Sequence, residues 1–244
     1  MEKNIQHVLF DLDGTLTDSA RGIMNAIEYS LHTYGITVTD RSTLRPFIGP
    51  PLAESMRKYY GFGVEQSLEA VERFREYYDG KGGLFENDVY EGIPELLDEL
   101  RSAGYHLYLA TSKPEKTARR ILEHFDLARR FDFIGGATLD ESREKKGDVI
   151  CYVLETCGIT DKSQVVMVGD RSNDIVGAKE NGLKSIGVLY GYGSREELLG
   201  AGADVLAQTP ADVKTIVEER SSDFGKTASP SVEDSADWRC RLLL

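Results

Sequence analysis

Acidic residues follow two apolar segments of this 244-residue chain at short spacing. Asp11 and Asp13 come directly after "HVLF", and Asp170 and Asp174 follow "VVMVG". Burying carboxylates at the end of an apolar strand costs free energy unless something compensates their charge. A hard cation is one such compensation, because Mg²⁺ takes oxygen ligands and is usually bound through one or two carboxylates. The pattern therefore predicts a cation site.

Hydroxyl groups and lysines occupy comparable positions elsewhere in the chain. Thr111, Ser112 and Lys113 follow the apolar segment "HLYLA", and Lys145 and Lys146 stand just before the helical stretch "GDVI". Ligands of open parallel sheets bind at the carboxyl ends of the strands. We therefore expect four segments that are distant in sequence to meet at one edge, where they offer carboxylates, hydroxyls and an ammonium group.

Six short apolar segments alternate with helical patterns along most of the chain, and each is bounded by Gly, Asp or Ser. Strands that alternate with helices predict an α/β fold, with a doubly wound parallel sheet covered on both faces. The segments are "HVLF", "HLYLATS", "FDFIGG", "SQVVMVGD", "KSIGVLYG" and "ADVLAQ".

One interval breaks this alternation, because residues 19–83 show helical periodicity and no convincing strand. About 65 helical residues after the first strand predict a separate inserted module, leaving residues 1–18 and 84–220 for the sheet domain. From residue 221 the sequence becomes polar, rich in Ser and Asp and without periodicity. We expect residues 221–244 to be a disordered tail.

Four motifs in this order resemble the haloacid dehalogenase superfamily of phosphohydrolases. "DLDGTLTDS" is similar to its first motif, "ATS" to the second, the Lys145-Lys146 pair to the third, and "GDRSNDIVGAKENG" to the fourth. The helical interval falls between motifs one and two, where the family places its C1-type cap. The resemblance covers about residues 5–217 and implies a Rossmann-like core with an α-helical cap, close to the phosphoglycolate phosphatase group or to 5'-nucleotidase-like members.

The resemblance implies a Mg²⁺-dependent phosphatase. A carboxylate that attacks a phosphate ester is an anion meeting an anion, so a cation must neutralise both. Asp11 and Asp170 would supply carboxylate ligands, and Asp174 can face the same ion from one helical turn further on. The family resemblance adds the backbone carbonyl of Asp13 as a further ligand.

The remaining motif residues receive roles in phosphoryl transfer. Asp11 would be the nucleophile that forms an aspartyl-phosphate, and Asp13 would be the general acid and base. Lys146 would balance the charge that builds during transfer, although the sequence leaves open whether Lys145 takes this place. The phosphate-binding residues would be Thr111, Ser112 and Lys113.

A Pro- and Gly-rich stretch, "RPFIGPPL" (residues 45–52), interrupts the helical interval. In cap-bearing relatives a similar loop faces the active site, so we expect Arg45, Ile48 and Gly49 to help select the substrate, with Arg45 near an anionic group. A rigid turn between cap helices explains the same residues, and the two interpretations are compatible.

The resemblance implies a small phosphorylated metabolite as the partner, and charge and composition disfavour two other classes of partner. A net charge of -12 disfavours binding to nucleic acid or to an anionic membrane. No apolar run is long enough to cross a bilayer. Three cysteines without metal-type spacing fit a reduced cytoplasmic protein, either monomer or homodimer. A phosphomutase, an isomerase with the same four motifs, is the alternative to a phosphatase.

Overall fold

The computed structural model describes residues 5–138, 143 and 145–223. Eight strands occur in this part of the chain, and six of them form one sheet in which every pair is parallel. The strands in chain order are β1 (His7–Phe10), β2 (Thr17–Asp18), β3 (Asp88–Val89), β4 (His106–Pro114), β5 (Phe133–Ala137), β6 (Val165–Gly169), β7 (Lys184–Val188) and β8 (Val205–Ala207). The spatial order in the sheet is β5-β4-β1-β6-β7-β8, which places β1 between β4 and β6.

Nine α-helices connect and cover these strands in the described residues. They are α1 (Ala20–His32), α2 (Leu52–Tyr60), α3 (Val64–Tyr78), α4 (Ile93–Ser102), α5 (Glu115–His124), α6 (Lys146–Thr156), α7 (Ser172–Glu180), α8 (Arg195–Ala201) and α9 (Pro210–Asp223). None of the helices in the described part of the chain is long and apolar enough to cross a membrane.

The sheet is buried on both faces, as the short apolar strands predict. In β1, Val8 and Phe10 belong to one apolar cluster and Leu9 to another, because successive side chains of a strand point to opposite faces. Helices α4, α5 and α9 contribute to the first cluster, and α6 contributes to the second. The doubly wound α/β fold predicted from the sequence is confirmed.

Three α-helices fill the interval between the first strand and α4, in agreement with the helical periodicity of residues 19–83. Helices α1 and α3 pack together, and the buried Ser30 hydroxyl donates to the Ala70 carbonyl at 2.7 Å. Apolar residues of this segment, including Ile27 and Leu31, join the same cluster as Val8 and Phe10. One continuous apolar cluster therefore extends from these helices to the sheet, and the division into two domains stays a prediction.

Two details differ from the sequence-based expectation. Strands β2 and β3 pair antiparallel where the chain leaves and rejoins the sheet, but two residues are too short to show an alternating pattern. Helix α9 continues to Asp223 and so includes the first three residues of the predicted tail, and residues 224–244 lie outside the described part.

Gly22 sets how closely helix α1 approaches the segment that returns to the sheet. Its N–H donates to the Glu86 carbonyl at 3.0 Å. A Cβ at this position would overlap the Gly83 carbonyl oxygen, so the two backbones meet only because residue 22 lacks a side chain.

We expect Gly22→Ala to lower the free energy of unfolding by about 1–3 kcal/mol, because the added methyl forces two backbones apart. Alanine is the better helix former by about 1 kcal/mol, so intrinsic propensity predicts the opposite sign. Gly200→Ala in helix α8 is the matched control, since a Cβ there meets open space, and we expect it to be neutral or mildly stabilising. Urea denaturation measures both, and equal effects at the two positions would contradict the packing argument.

Candidate active site

The sheet order brings the predicted residues together at one edge. Strand β1 pairs with β4 on one side and with β6 on the other, with Phe10 opposite both Leu109 and Val168. The ends of β1 and β6 are therefore level with the middle of β4, which continues to Pro114. Asp11 follows β1, Thr111 lies within β4 two residues after Leu109, and Asp170 follows β6. All three are buried.

A tight turn after β1 returns Asp13 to the same edge as Asp11. The Gly14 N–H donates to the Thr17 carbonyl at 2.8 Å, and Gly14 has a φ of 87°. This left-handed conformation favours glycine, and a Cβ here would also overlap the Asp170 carboxylate. The glycine therefore allows Asp170 to lie directly against the turn.

Lys146 is the buried cation of the site. Its Nζ lies 2.6 Å from Asp11 Oδ1 and 2.8 Å from Asp174 Oδ1, and it donates to the Ala110 carbonyl at 2.9 Å. Burial lowers the pKa of Lys146, but Asp11 and Asp174 outweigh this and raise it above its ordinary range. Lys145 is exposed, so of the two lysines it is Lys146 that reaches the carboxylates.

Asp170 and Asp174 are each fixed by backbone hydrogen bonds. The Tyr192 N–H donates to Asp170 Oδ2 at 2.7 Å, and the Arg171 N–H donates to Asp174 Oδ2 at 3.0 Å. Burial, with the charges of Asp174 and Asp11, raises the pKa of Asp170 well above its ordinary value. Burial raises the pKa of Asp174 too, with Lys146 opposing it and Asp11 adding to it. The carboxylates of Asp11, Asp170 and Asp174 therefore carry more negative charge than Lys146 balances.

The donor set fits a magnesium ion. Asp11, Asp170 and Asp174 each present a carboxylate oxygen, and these oxygens lie within 4.8 Å of one another, the one such cluster among the described residues. Hard oxygen donors of this kind suit Mg²⁺, whose charge would offset the repulsion that raises these pKa values.

Asp13 and Lys113 form a second buried ion pair. Lys113 Nζ lies 3.0 Å from Asp13 Oδ2 and donates to the Tyr78 hydroxyl at 2.9 Å. Burial lowers the pKa of Lys113, but Asp13 and Tyr78 raise it above its ordinary range. Asp13 Oδ1 is buried and has no hydrogen-bond partner among the described residues. Lys113, predicted to bind phosphate, is therefore engaged with Asp13.

Two adjoining cavities open at this edge of the sheet. The larger cavity extends from Asp13 and Lys113 toward the inserted helices, where Phe47, Phe74 and Tyr78 line it. The smaller cavity holds most of the predicted site residues together with two new ones. It is lined by Asp11, Asp13, Gly49, Thr111, Ser112, Lys113, Lys146, Arg171, Asn173 and Asp174.

The loop predicted to select substrate reaches the site through its backbone. Gly49 lines both cavities, whereas the Ile48 side chain is fully buried and its carbonyl accepts a hydrogen bond from Arg171 Nη1 at 2.6 Å. Arg45 is exposed and lines neither cavity. The structure therefore brings Gly49 to the site and leaves Arg45 outside it.

Sequence reasoning missed Arg171, Asn173 and Tyr192 as parts of the site. Arg171 and Asn173 lie within the quoted motif "GDRSND", so their position next to Asp170 was the available signal. Tyr192 lies in "GYG" after β7, another strand whose carboxyl end faces this edge. Polar and glycine-rich residues at that strand end are therefore a further sequence signal of the site.

The fold assigns the chain to a family of hydrolases. The family model of haloacid dehalogenase-like hydrolases matches residues 8–188, and the chain belongs to that family. Its relatives and structural neighbours place it among the phosphatases of the family.

Three curated relatives show that proteins similar to this chain carry different names. A 5'-nucleotidase from Pseudomonas aeruginosa is 44% identical, over 79% of this chain and 86% of that protein. Tyrosine-protein kinase PtkA from Mycobacterium tuberculosis is 43% identical over 77% of this chain, which spans only 63% of that longer protein. A phosphoglycolate phosphatase from Vibrio parahaemolyticus is 30% identical, over 88% of this chain and 97% of that protein.

A solved structure supports the same assignment. The crystal structure of a predicted phosphatase from Clostridium acetobutylicum is 46% identical and superimposes with a TM-score of 0.85. The match covers 90% of this chain and all of that chain, so it includes the inserted helices as well as the sheet.

We expect Asp170→Asn to stabilise the metal-free protein, because it removes one of the buried, mutually repelling carboxylates. In EDTA at pH 7 its free energy of unfolding should exceed that of the original protein by about 1–4 kcal/mol. A folded-state pKa raised above the ordinary value of 3.8 means that the penalty is complete above that raised pKa. The difference should therefore shrink as the pH falls from 7 toward 4.

Urea denaturation with and without Mg²⁺ measures the free energy of unfolding of each variant. The original protein should gain stability from Mg²⁺, and Asp170→Asn should gain much less. Asp88→Asn, at a side chain that is 75% exposed, is the control and should change neither quantity. A metal-free Asp170→Asn variant that is less stable than the original protein would contradict the charge argument.

Proposed function

We propose that the protein hydrolyses small phosphomonoesters in a Mg²⁺-dependent reaction through an aspartyl-phosphate on Asp11. The observation that carries this proposal is the placement of Asp11, held at 2.6 Å from Lys146 beside Asp170 and Asp174, on a cavity that Asp13 also lines. We assign the reaction centre to a core of residues 1–18 and 84–220, and the substrate lid to a cap of residues 19–83. The low cysteine content fits a reaction in the cytoplasm.

Asp11 and Asp170 would hold the magnesium ion through their carboxylates, with Asp174 beside them and the Asp13 carbonyl as a further ligand. The ion supplies charge neutralisation for an attack of carboxylate on phosphate. This role fits the raised pKa values of Asp170 and Asp174, since a nearby positive ion favours the ionised form of both acids.

Side chains at the edge of the sheet supply the rest of the proposed phosphoryl-transfer site. Asp11 attacks the phosphorus atom, and Lys146, already in contact with its carboxylate, balances negative charge as the bond forms. Thr111 and Ser112 lie on the same small cavity and hold phosphoryl oxygens by hydroxyl and backbone N–H groups. Both residues lie in β4, which pairs with the central strand β1.

Asp13 is the general acid and base of the proposed reaction. It lines both cavities, so its carboxyl group stands between the phosphoryl site and the space for the leaving group. One carboxylate oxygen is held by Lys113, and the other has no partner among the described residues. We therefore reassign Lys113 from binding phosphate to orienting Asp13.

The larger cavity favours a leaving group with apolar faces. Phe47, Phe74 and Tyr78 line it together with Pro50 and Pro51. Its arginine, Arg75, is already paired with Glu72 at 2.6 Å, which leaves less positive charge for a carboxylate on the substrate. Among the activities named for the relatives, this lining supports a nucleoside monophosphate over a two-carbon phospho-acid.

A phosphate-release screen with Mg²⁺ tests the proposal and its substrate preference. We expect nucleoside 5'-monophosphates to give a higher kcat/KM than 2-phosphoglycolate or pyrophosphate, and EDTA to abolish phosphate release until Mg²⁺ is restored. Sugar phosphates belong in the panel because a phosphomutase would return an isomer without free phosphate. Full activity in EDTA, or isomer formation alone, would contradict a magnesium-dependent phosphatase.

We expect the effect of Asp13→Asn to depend on the leaving group. An alkyl phosphate needs a proton on its leaving oxygen, so its kcat/KM should fall on the order of 10²–10⁴-fold. p-Nitrophenyl phosphate has a leaving group that departs without protonation, so its kcat/KM should fall far less. Steady-state kinetics on both substrates measure this.

Asp11→Asn is the matched comparison for Asp13→Asn. A nucleophile is needed for every substrate, so the asparagine variant should lose activity on alkyl and aryl phosphates alike. Equal losses with both substrates in Asp13→Asn would overturn the acid role of Asp13.

A further inference from the structure

The side chain of Arg171 connects the loop after β6 with the loop of residues 45–52. Its Nη1 donates to the Ile48 carbonyl at 2.6 Å, and its Nε donates to Glu197 Oε1 at 2.9 Å. The Arg171 and Glu197 side chains are 17% and 27% exposed, so both contacts are largely shielded from water. Charge-assisted hydrogen bonds in such surroundings are stronger than those between neutral groups.

Two glycines lie beside the Arg171 side chain, and Gly49 is the one whose missing side chain leaves it room. A Cβ on Gly49 would lie 3.3 Å from Arg171 Cγ, and a Cβ on Gly193 would lie 3.5 Å from Arg171 Cδ. Gly49 also has a φ of 105°, which favours glycine. The guanidinium therefore reaches the Ile48 carbonyl along a stem that is packed on both sides.

Glu197 holds the guanidinium in place from helix α8. Its Oε1 also accepts the Ser172 N–H at 2.9 Å, and its own N–H donates to the hydroxyl of Ser194 at 3.1 Å, the residue that caps the helix. Burial raises the pKa of Glu197, but the Ser172 N–H and Arg171 outweigh this and hold it below its ordinary value. The carboxylate is thus a fixed, ionised anchor.

A simple ion pair would explain the contact between Arg171 and Glu197. It would not explain the hydrogen bond from Arg171 to the Ile48 carbonyl. That carbonyl belongs to a segment 123 residues away in sequence, between the 3₁₀ helix Arg41–Phe47 and helix α2. The Ile48 side chain is fully buried, and the next residue, Gly49, lines both cavities. The hydrogen bond therefore sets where this loop lies over the site.

We propose that Arg171, anchored by Glu197, is a positioning residue that holds the Ile48–Gly49 backbone over the two cavities and so encloses the leaving group of the substrate. This inference rests on the proposed phosphatase function for its kinetic consequence. The hydrogen bond between Arg171 and the Ile48 carbonyl can be tested without measuring any activity.

Glu197→Gln and Arg171→Met test the proposal, with Glu196→Gln as the matched control on an exposed neighbouring side chain. Amide hydrogen exchange of residues 45–52 should accelerate in both test variants and stay unchanged in the control. In kinetics, KM for a nucleoside 5'-monophosphate should rise about 10-fold, the loss expected for one charge-assisted hydrogen bond. The double variant should be no worse than Arg171→Met alone, because Glu197 acts through Arg171.

Two further readouts separate positioning from general damage to the site. The inhibition constant of inorganic phosphate and the Mg²⁺ concentration for half-maximal activity should stay within about 2-fold in Glu197→Gln, since the core residues that bind them are untouched. Unchanged exchange of residues 45–52 in both variants would overturn the proposal, as would a phosphate constant that rises together with KM. If the original protein released no phosphate, the proposed function would fail while the exchange result would still decide the contact.

Discussion

The structure depends on the balance of charge at the carboxyl edge of the central sheet. Asp11, Asp170 and Asp174 are buried within a few ångströms of one another, and Lys146 is the buried cation in contact with two of them. Such a group is unfavourable for folding by itself, because burial and mutual repulsion both oppose ionisation. The same surplus of negative charge suits a magnesium ion, whose charge would offset it.

Other features follow from the need to hold these carboxylates in place. Parallel strands buried on both faces leave little freedom at their ends, and backbone N–H groups hold Asp170 and Asp174. Gly14 lets the first turn lie against Asp170. The phosphoryl half of the proposed site is therefore rigid, and it is assembled from residues of the core.

The leaving-group half of the site is built differently, from the inserted helices and their contacts with the core. Lys113 reaches Tyr78 at the end of α3, and Arg171 reaches the Ile48 carbonyl. Lys113 directly follows the motif "ATS", Arg171 lies within the fourth motif, and both contact the inserted segment.

Much of this organisation could be predicted from the sequence, because it depends on local patterns. Short apolar strands ending in Asp11 or Asp170 are visible in the chain, and parallel topology alone brings their ends together. The pairing of β2 with β3 was not predictable from two residues. The roles of Lys113 and of the two arginines depend on side-chain directions that only the packed structure gives. Lys113 contacts Asp13, Arg45 lines neither cavity, and Arg171 binds the Ile48 carbonyl.

The most direct test of the account is to locate the phosphoryl group on the enzyme. Asp13→Asn is mixed with p-nitrophenyl phosphate and Mg²⁺, quenched in acid, digested and examined by mass spectrometry. The account predicts one added phosphoryl group on the peptide that contains Asp11, removable by hydroxylamine and missing when Asp11 is also changed to Asn. A phosphoryl group on another residue, or phosphate release by the Asp11→Asn variant, would contradict it.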